Sequence, residues 1–128
     1  MRVLLDTHAF LWWNTGDNRL SADARAIITD GRTEVLVSVA SIWEVATKVA
    51  KGRLEIPDEV GQYVADRLDL NHWLSLPIAV DHVVRATALP RIHLDPFDRM
   101  LVAQAQLEGV PILTKDALLT RYDVETIW

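Results

Sequence analysis

Residues 95–116 read DPFDRMLVAQAQLEGVPILTKD. This stretch holds a whole helix and the strand that follows it, with a signal at each boundary. Asp95 is a side-chain cap, and Pro96 stands at the first helical position, where a missing N–H is tolerated. Leu101, Val102 and Ala105 recur at helical spacing and give the helix one apolar face. Gly109 stops the helix, and Pro111–Thr114 then reads as a short buried strand. A helix that leads straight into an all-apolar strand is the repeating unit of a parallel α/β sheet.

The same alternation runs outward to both ends. Val3–Leu5 reads as a buried strand, Thr7–Trp13 as a short helix and Asn14–Asn18 as a turn. Ser21 caps a helix from about Ala22 to Asp30, closed by Gly31, and Glu34–Ser38 is the second strand. Ser41–Lys51 is a helix with Ile42, Val45, Ala46 and Val49 on one side, closed by Gly52. Ile56-Pro57-Asp58 opens another helix, with Val60, Tyr63, Val64 and Leu68 on one face, and Trp73–Leu76 forms a third strand. The segment Arg53–Leu76 also fits an inserted helical hairpin. Ala79–Leu89 is a helix, Pro90–Leu94 a connector, Ala117–Thr120 a helical turn and Val124–Ile127 a last strand. No repeat or linker interrupts this pattern, so residues 1–128 are expected to form one domain.

Composition narrows the chemistry. Half of the 128 residues are hydrophobic, too many for a disordered chain. The absence of cysteine excludes disulfides, thiol catalysis and Cys-ligated zinc. The apolar run at the N-terminus meets Asp6 too soon for a signal peptide, and no stretch is long enough to span a bilayer. The expectation is a cytoplasmic protein. A net charge of −5 argues against a non-specific nucleic-acid binder without excluding a nuclease.

Four acids stand where the chain leaves a strand or enters a helix: Asp6, Glu44, Asp98 and Asp116. Each has a structural explanation. Asp6 suits a cap for the helix at Thr7, and Asp116 a cap for the turn at Ala117. Ser41 and Glu44 have capping-box spacing, and Glu44 can pair with Lys48 one turn on. Asp98 suits the positive end of its helix. Their joint placement outweighs these readings. In a parallel sheet the carboxyl ends of the strands share one edge, where ligands bind. Carboxylates gathered there repel one another unless a cation sits among them, and oxygen donors suit Mg²⁺ or Mn²⁺. Asp98 also lies beside the apolar face of its helix, where an unpaired carboxylate is costly.

Leu4-Leu5-Asp6-Thr7, Ser38-x-x-Ser41-x-x-Glu44, Asp95-Pro96-Phe97-Asp98-Arg99 with Leu101–Ala105, and Leu113-Thr114-Lys115-Asp116 together resemble the motifs of PIN-domain ribonucleases, in particular the VapC-type toxins of bacterial toxin–antitoxin pairs. The resemblance covers nearly the whole chain, and its most specific part is the Asp-Pro-Phe-Asp-Arg helix start. It implies a PIN-like α/β/α sandwich with a central, mainly parallel sheet. It implies a metal-dependent endoribonuclease with one or two Mg²⁺ or Mn²⁺ ions per site. Asp6, Glu44 and Asp98 would be the main ligands, Asp116 would complete the cluster, and Thr7, Ser41 and Thr114 would supply hydroxyls. It further implies a homodimer and a cognate antitoxin of VapB type that covers the acidic pocket.

Arg91, His93, Arg99 and Lys115 are weaker candidates for contact with the RNA backbone, with solvated loop charge as the alternative. The four histidines lack metal-ligand spacing. Trp12, Trp13, Trp43 and Trp73 occupy apolar positions suited to a core or an interface. Two phosphate-handling α/β rivals fit less well. A receiver domain needs an acid pair after the first strand, and a haloacid-dehalogenase-like phosphatase needs a second Asp where His8 stands. The remaining rival is a binding module of the same fold, weak in catalysis and acting through a protein partner.

Overall fold

Val3, Leu4 and Leu5 are all fully buried, and that follows from the pleat of a strand covered on both faces. A computed structural model describes residues 1–128. Its centre is a five-stranded, wholly parallel sheet in the order β3-β2-β1-β4-β5. The strands are β1 (Arg2–Leu5), β2 (Glu34–Ser38), β3 (Leu74–Leu76), β4 (Ile112–Leu113) and β5 (Thr126–Ile127). The helices are α1 (Thr7–Thr15), α2 (Ala22–Thr29), α3 (Val39–Ala50), α4 (Val60–Asn71), α5 (Val80–Ala88) and α6 (Pro96–Glu108).

Alternate residues of each strand enter different cores. Val3, Leu5, Val35, Val37 and Leu113 pack with Phe10 of α1, Ala24 and Ile28 of α2, and Tyr63 and Val64 of α4. Leu4, Leu36, Leu76 and Ile112 pack with Ala86 of α5 and Leu101, Val102 and Ala105 of α6. The α/β/α sandwich expected from the sequence is therefore present, and every strand pairing is parallel. No helix is long and apolar enough to cross a membrane.

Strand order positions the site. The chain builds β1, β2 and β3 outward on one side, then crosses back so that β4 pairs with the other edge of β1. The direction of winding thus reverses between β1 and β4, and at such a switch point the loops diverge and leave a crevice at the carboxyl ends. Asp6 leaves β1 and Thr114 leaves β4 on either side of that crevice. Since α6 leads into β4, its first turn lies at the same edge of the sheet.

One local expectation is corrected and one alternative is decided. The helix expected from Ser41 begins at Val39, because the Ser38 hydroxyl accepts the Ala40 N–H at 3.0 Å and caps it. Ser41 therefore lies inside α3 and plays no capping part. Segment 53–76 holds one helix and one strand, the first of its two readings, and not the alternative helical hairpin. His72 takes a left-handed backbone with φ 57°, which ends α4, and Trp73 buries in the first core as the chain enters β3.

Leu101 is fully buried on the helix that carries Asp98. Leu101→Ala is expected to cost about 2–5 kcal/mol, read as a lowered urea midpoint without a change in slope.

Candidate functional site at the carboxyl edge of the sheet

Asp6 is the innermost of the four acids. As the cap of α1 it accepts the Ala9 N–H at 2.7 Å through Oδ1. Its other oxygen accepts the Thr114 hydroxyl at 2.6 Å, a bond between residues 108 positions apart that spans the switch point. Burial pushes the Asp6 carboxyl above the usual range. The hydrogen bonds from Thr114 and Ala9 and the His8 charge oppose that push, while the Asp116 charge adds to it.

Thr7 and Ser41 extend the site toward α3. The Thr7 hydroxyl donates to Glu44 Oε1 at 2.8 Å and lies 3.0 Å from Ser41 Oγ. All three side chains are buried. Lys48 Nζ lies 2.8 Å from the second oxygen of Glu44, the i,i+4 pair expected from the sequence. Glu44 is thus held from both ends, by a hydroxyl and by an ammonium.

Asp98 lies in the first turn of α6, where Asp95 caps the helix by accepting the Phe97 N–H at 2.8 Å and the Asp98 N–H at 3.4 Å. Burial pushes the Asp98 carboxyl up to about 7, and the charges of Asp95, Glu44 and Asp116 add to that push while His93 opposes it. Glu44 and Asp116 therefore both act electrostatically on Asp98, although they come from opposite sides of β1. Asp116 accepts the Leu118 N–H at 2.9 Å, as expected of a cap, while its N–H donates to Thr114 at 3.0 Å. Its Oδ2 lies 3.0 Å from His93 Nε2, and Asp98 Oδ2 lies 3.2 Å from the same nitrogen.

All four acids therefore converge on one edge, with Thr7, Ser41 and Thr114 among them. The donor set is rich in carboxylate oxygen, partly dry and crowded with negative charge, which suits a hard divalent cation. One atom each from His93, Asp98 and Asp116 also lies within 4.8 Å of the others, close enough to share an ion.

The weaker candidates separate. His93 sits in the carboxylate cluster, with Nε2 3.0 Å from Asp116 Oδ2. Arg99 is engaged elsewhere: its guanidinium donates to the carbonyls of Ala86, Leu89, Pro90 and His93 at 2.9–3.2 Å. It ties the end of α5 and the connector to α6, which takes it away from a substrate role. Lys115 is exposed and forms no ion pair with the cluster, and Arg91 is exposed. Trp73 is core, but Trp43 is 63% exposed and meets Phe97 edge to face at 5.0 Å, next to two of the acids in sequence.

Sequence reasoning also missed Gln104. This fully buried side chain meets the Ser38 hydroxyl at 2.5 Å and donates to the Pro77 carbonyl at 3.2 Å. It therefore joins α6 to the strand ends at Ser38 and Pro77. The signal was available, since Gln104 is a polar residue one turn from Leu101 on the apolar face of its helix.

The PIN domain family matches residues 3–125. Ribonuclease VapC22 of Mycobacterium tuberculosis is 30% identical over 118 residues, which covers 91% of this chain and 88% of that protein. Ribonuclease VapC16 of the same organism is 37% identical over 86 residues, or 61% of this chain and 60% of that protein. Among solved structures, VapBC2 from Rickettsia felis, bound to a DNA fragment from its promoter, superposes with a TM-score of 0.70 at 13% identity, covering 100% of this chain and 99% of that one. A toxin–antitoxin complex from Klebsiella pneumoniae gives 0.68 at 19% identity, covering 98% and 96%. At these identities the structural likeness is one of fold.

In the unfolded chain Asp98 loses its proton near 3.8, whereas the folded protein keeps it up to about 7. Between those values the folded state holds a proton that the unfolded state has lost, so stability falls as pH rises and is lowest above the window. Asp98→Asn is therefore expected to stabilise the protein in EDTA at pH 8 by on the order of 2–4 kcal/mol. The gain should vanish near pH 4, as read by calorimetric melting at the two pH values.

Proposed function

The chain belongs to the PIN-domain family, and from that membership we propose that it is a metal-dependent endoribonuclease, a VapC-type toxin neutralised by a VapB-type antitoxin. The observation that carries this reading is the convergence of Asp6, Glu44, Asp98 and Asp116 from four distant parts of the chain. The ribonuclease names of the two Mycobacterium relatives supply the reaction class. The toxin–antitoxin complexes that share the fold supply the class of partner.

In this reading Asp6, Glu44 and Asp98 hold one or two Mg²⁺ or Mn²⁺ ions, and Asp116 completes the set. A cation bound there activates water for attack and offsets charge on the phosphodiester. The protein's own part is preorganisation. Thr114 and the Ala9 N–H fix the two oxygens of Asp6, and Thr7 and Lys48 fix those of Glu44. Carboxylates locked in this way need little rearrangement when a cation or substrate arrives. Asp98 holds a proton up to about 7, and near neutral pH it would have to give up that proton to serve as a cation ligand.

With a net charge of −5, the chain has little general attraction for nucleic acid, so substrate recognition rests on this edge and its cation. Single-stranded or looped RNA is the substrate class, because its bases and backbone are open to a surface crevice. We further propose that residues 1–128 act as one domain and that the protein works as a homodimer in the cytoplasm.

Cleavage of a single-stranded RNA with Mg²⁺, with Mn²⁺ and with EDTA tests the reaction, with Asp98→Asn prepared in parallel. Cutting should require the metal and fall at least roughly 100-fold in the variant, the upper range for loss of a group that merely supports a metal site. Cutting that survives in the variant would place the activity in a contaminant or another site. A folded, metal-loaded protein that cuts no RNA would favour the binding-module reading. Mn²⁺ affinity, followed by titration calorimetry, should weaken as pH falls from 8 to 6 because Asp98 gains its proton across that interval.

A further inference from the structure

His93 is restrained at every polar group but one. Its backbone N–H donates to the Tyr122 hydroxyl at 2.8 Å. Its carbonyl accepts from the Arg99 guanidinium at 3.2 Å. Its ring Nδ1 accepts the Asp95 N–H at 3.2 Å. The Tyr122 hydroxyl in turn donates to the Pro90 carbonyl at 2.9 Å, so both ends of the connector are tied down. Only Nε2 is left, and it meets Asp116 Oδ2 at 3.0 Å and Asp98 Oδ2 at 3.2 Å. A connector residue this fully braced is held for the sake of its remaining atom.

The Asp95 contact decides what that atom can do. A backbone N–H can only donate, so Nδ1 must present a lone pair and the ring proton must sit on Nε2. Turning the ring over would place carbon at both contacts and lose them. An imidazole that binds a metal through Nε2 carries its proton on Nδ1 and gives it to an acceptor. Here that proton would oppose the Asp95 N–H, and Asp95 cannot move freely because its carboxylate caps α6. The distances alone admit a His–Asp–Asp metal site. The donor facing Nδ1 argues against it.

We propose that His93 is a positioning residue of the nuclease site, a fixed Nε2–H donor that holds Asp116 beside Asp98 from outside the metal's own ligands. The inference rests on the nuclease reading above and adds a selectivity rule to it. With His93 kept as a donor, the cation is left with oxygen ligands. The site then favours Mg²⁺ and Mn²⁺ over ions that seek imidazole nitrogen. The bond to Asp116 also leaves that acid next to Asp98, although strand order alone puts the two on separate segments, the exit of β4 and the start of α6.

Long-range ¹H–¹⁵N correlation spectra of the full chain report which ring nitrogen carries the proton, and Mg²⁺ and Zn²⁺ are both diamagnetic. His93 should show the Nε2–H tautomer alone and with either ion. Transfer of the proton to Nδ1 when either ion is added would overturn the proposal. His93→Gln restores an amide N–H near the position of Nε2, and His93→Leu removes the donor. By titration calorimetry the Gln variant should bind Mg²⁺ within about 3-fold of the natural protein, and the Leu variant roughly 10–100-fold more weakly. Should the Leu variant fail to fold, loss of Mg²⁺ binding in the Gln variant would still overturn the donor role. Equal Mg²⁺ affinity in a folded Leu variant would also overturn it. Proton position and Mg²⁺ affinity do not depend on RNA cleavage, so failure of the nuclease reading would appear separately, as a natural protein that binds Mg²⁺ and cuts nothing.

Discussion

Crowding of carboxylates at a partly dry sheet edge is the constraint on which the site depends. Four acids in mutual electrostatic reach oppose folding, and burial makes that opposition stronger. Asp98 registers it most clearly, held protonated to about 7 by burial and by the charges of Asp95, Glu44 and Asp116. A neutral residue in its place would serve stability better. Such strain, sustained by the rest of the structure, marks a place where ligand chemistry outweighs stability.

The surrounding structure holds that strain by giving each acid a rigid mount. Asp6 is locked across the switch point by Thr114, and Glu44 is locked by Thr7 and Lys48. The first turn of α6 is fixed less directly. Arg99 gathers four carbonyls from α5 and the connector, and Gln104 ties the same helix to Ser38 and Pro77. These two side chains touch none of the acids, yet they set where Asp98 sits. The same division of labour explains why Arg99, in the most recognisable motif of the chain, has a structural part.

Much of this was legible in the residues themselves. Fully apolar strands demand helices on both faces, and Asp95, Pro96 and Gly109 mark the limits of α6. The acids could be found because each interrupts a local pattern, directly after a strand or beside an apolar helical face. The errors that remained concern where helices begin, and came from short-range ambiguity. Ser38 and Ser41 are both good caps three residues apart, and only the hydroxyl of Ser38 reaches a free N–H at the end of β2. The helix and strand of 53–76 were legible, but the start of α4 lies past Ile56-Pro57-Asp58, because the Glu59 side chain accepts the Gln62 N–H at 2.6 Å and caps the helix there.

Local chemistry along the chain thus determined the elements, the two-faced sheet and the identity of the four acids, because hydrophobic period, caps and breakers act over a few residues. Only the tertiary structure decided what those acids meet. The crossover that sets β4 beside β1 brought Thr114 to Asp6, and the braced connector brought His93 between Asp98 and Asp116. Such contacts join residues up to 108 positions apart. They depend on strand order and on which way a side chain turns once its neighbours are packed, and neither is written in any local stretch of sequence.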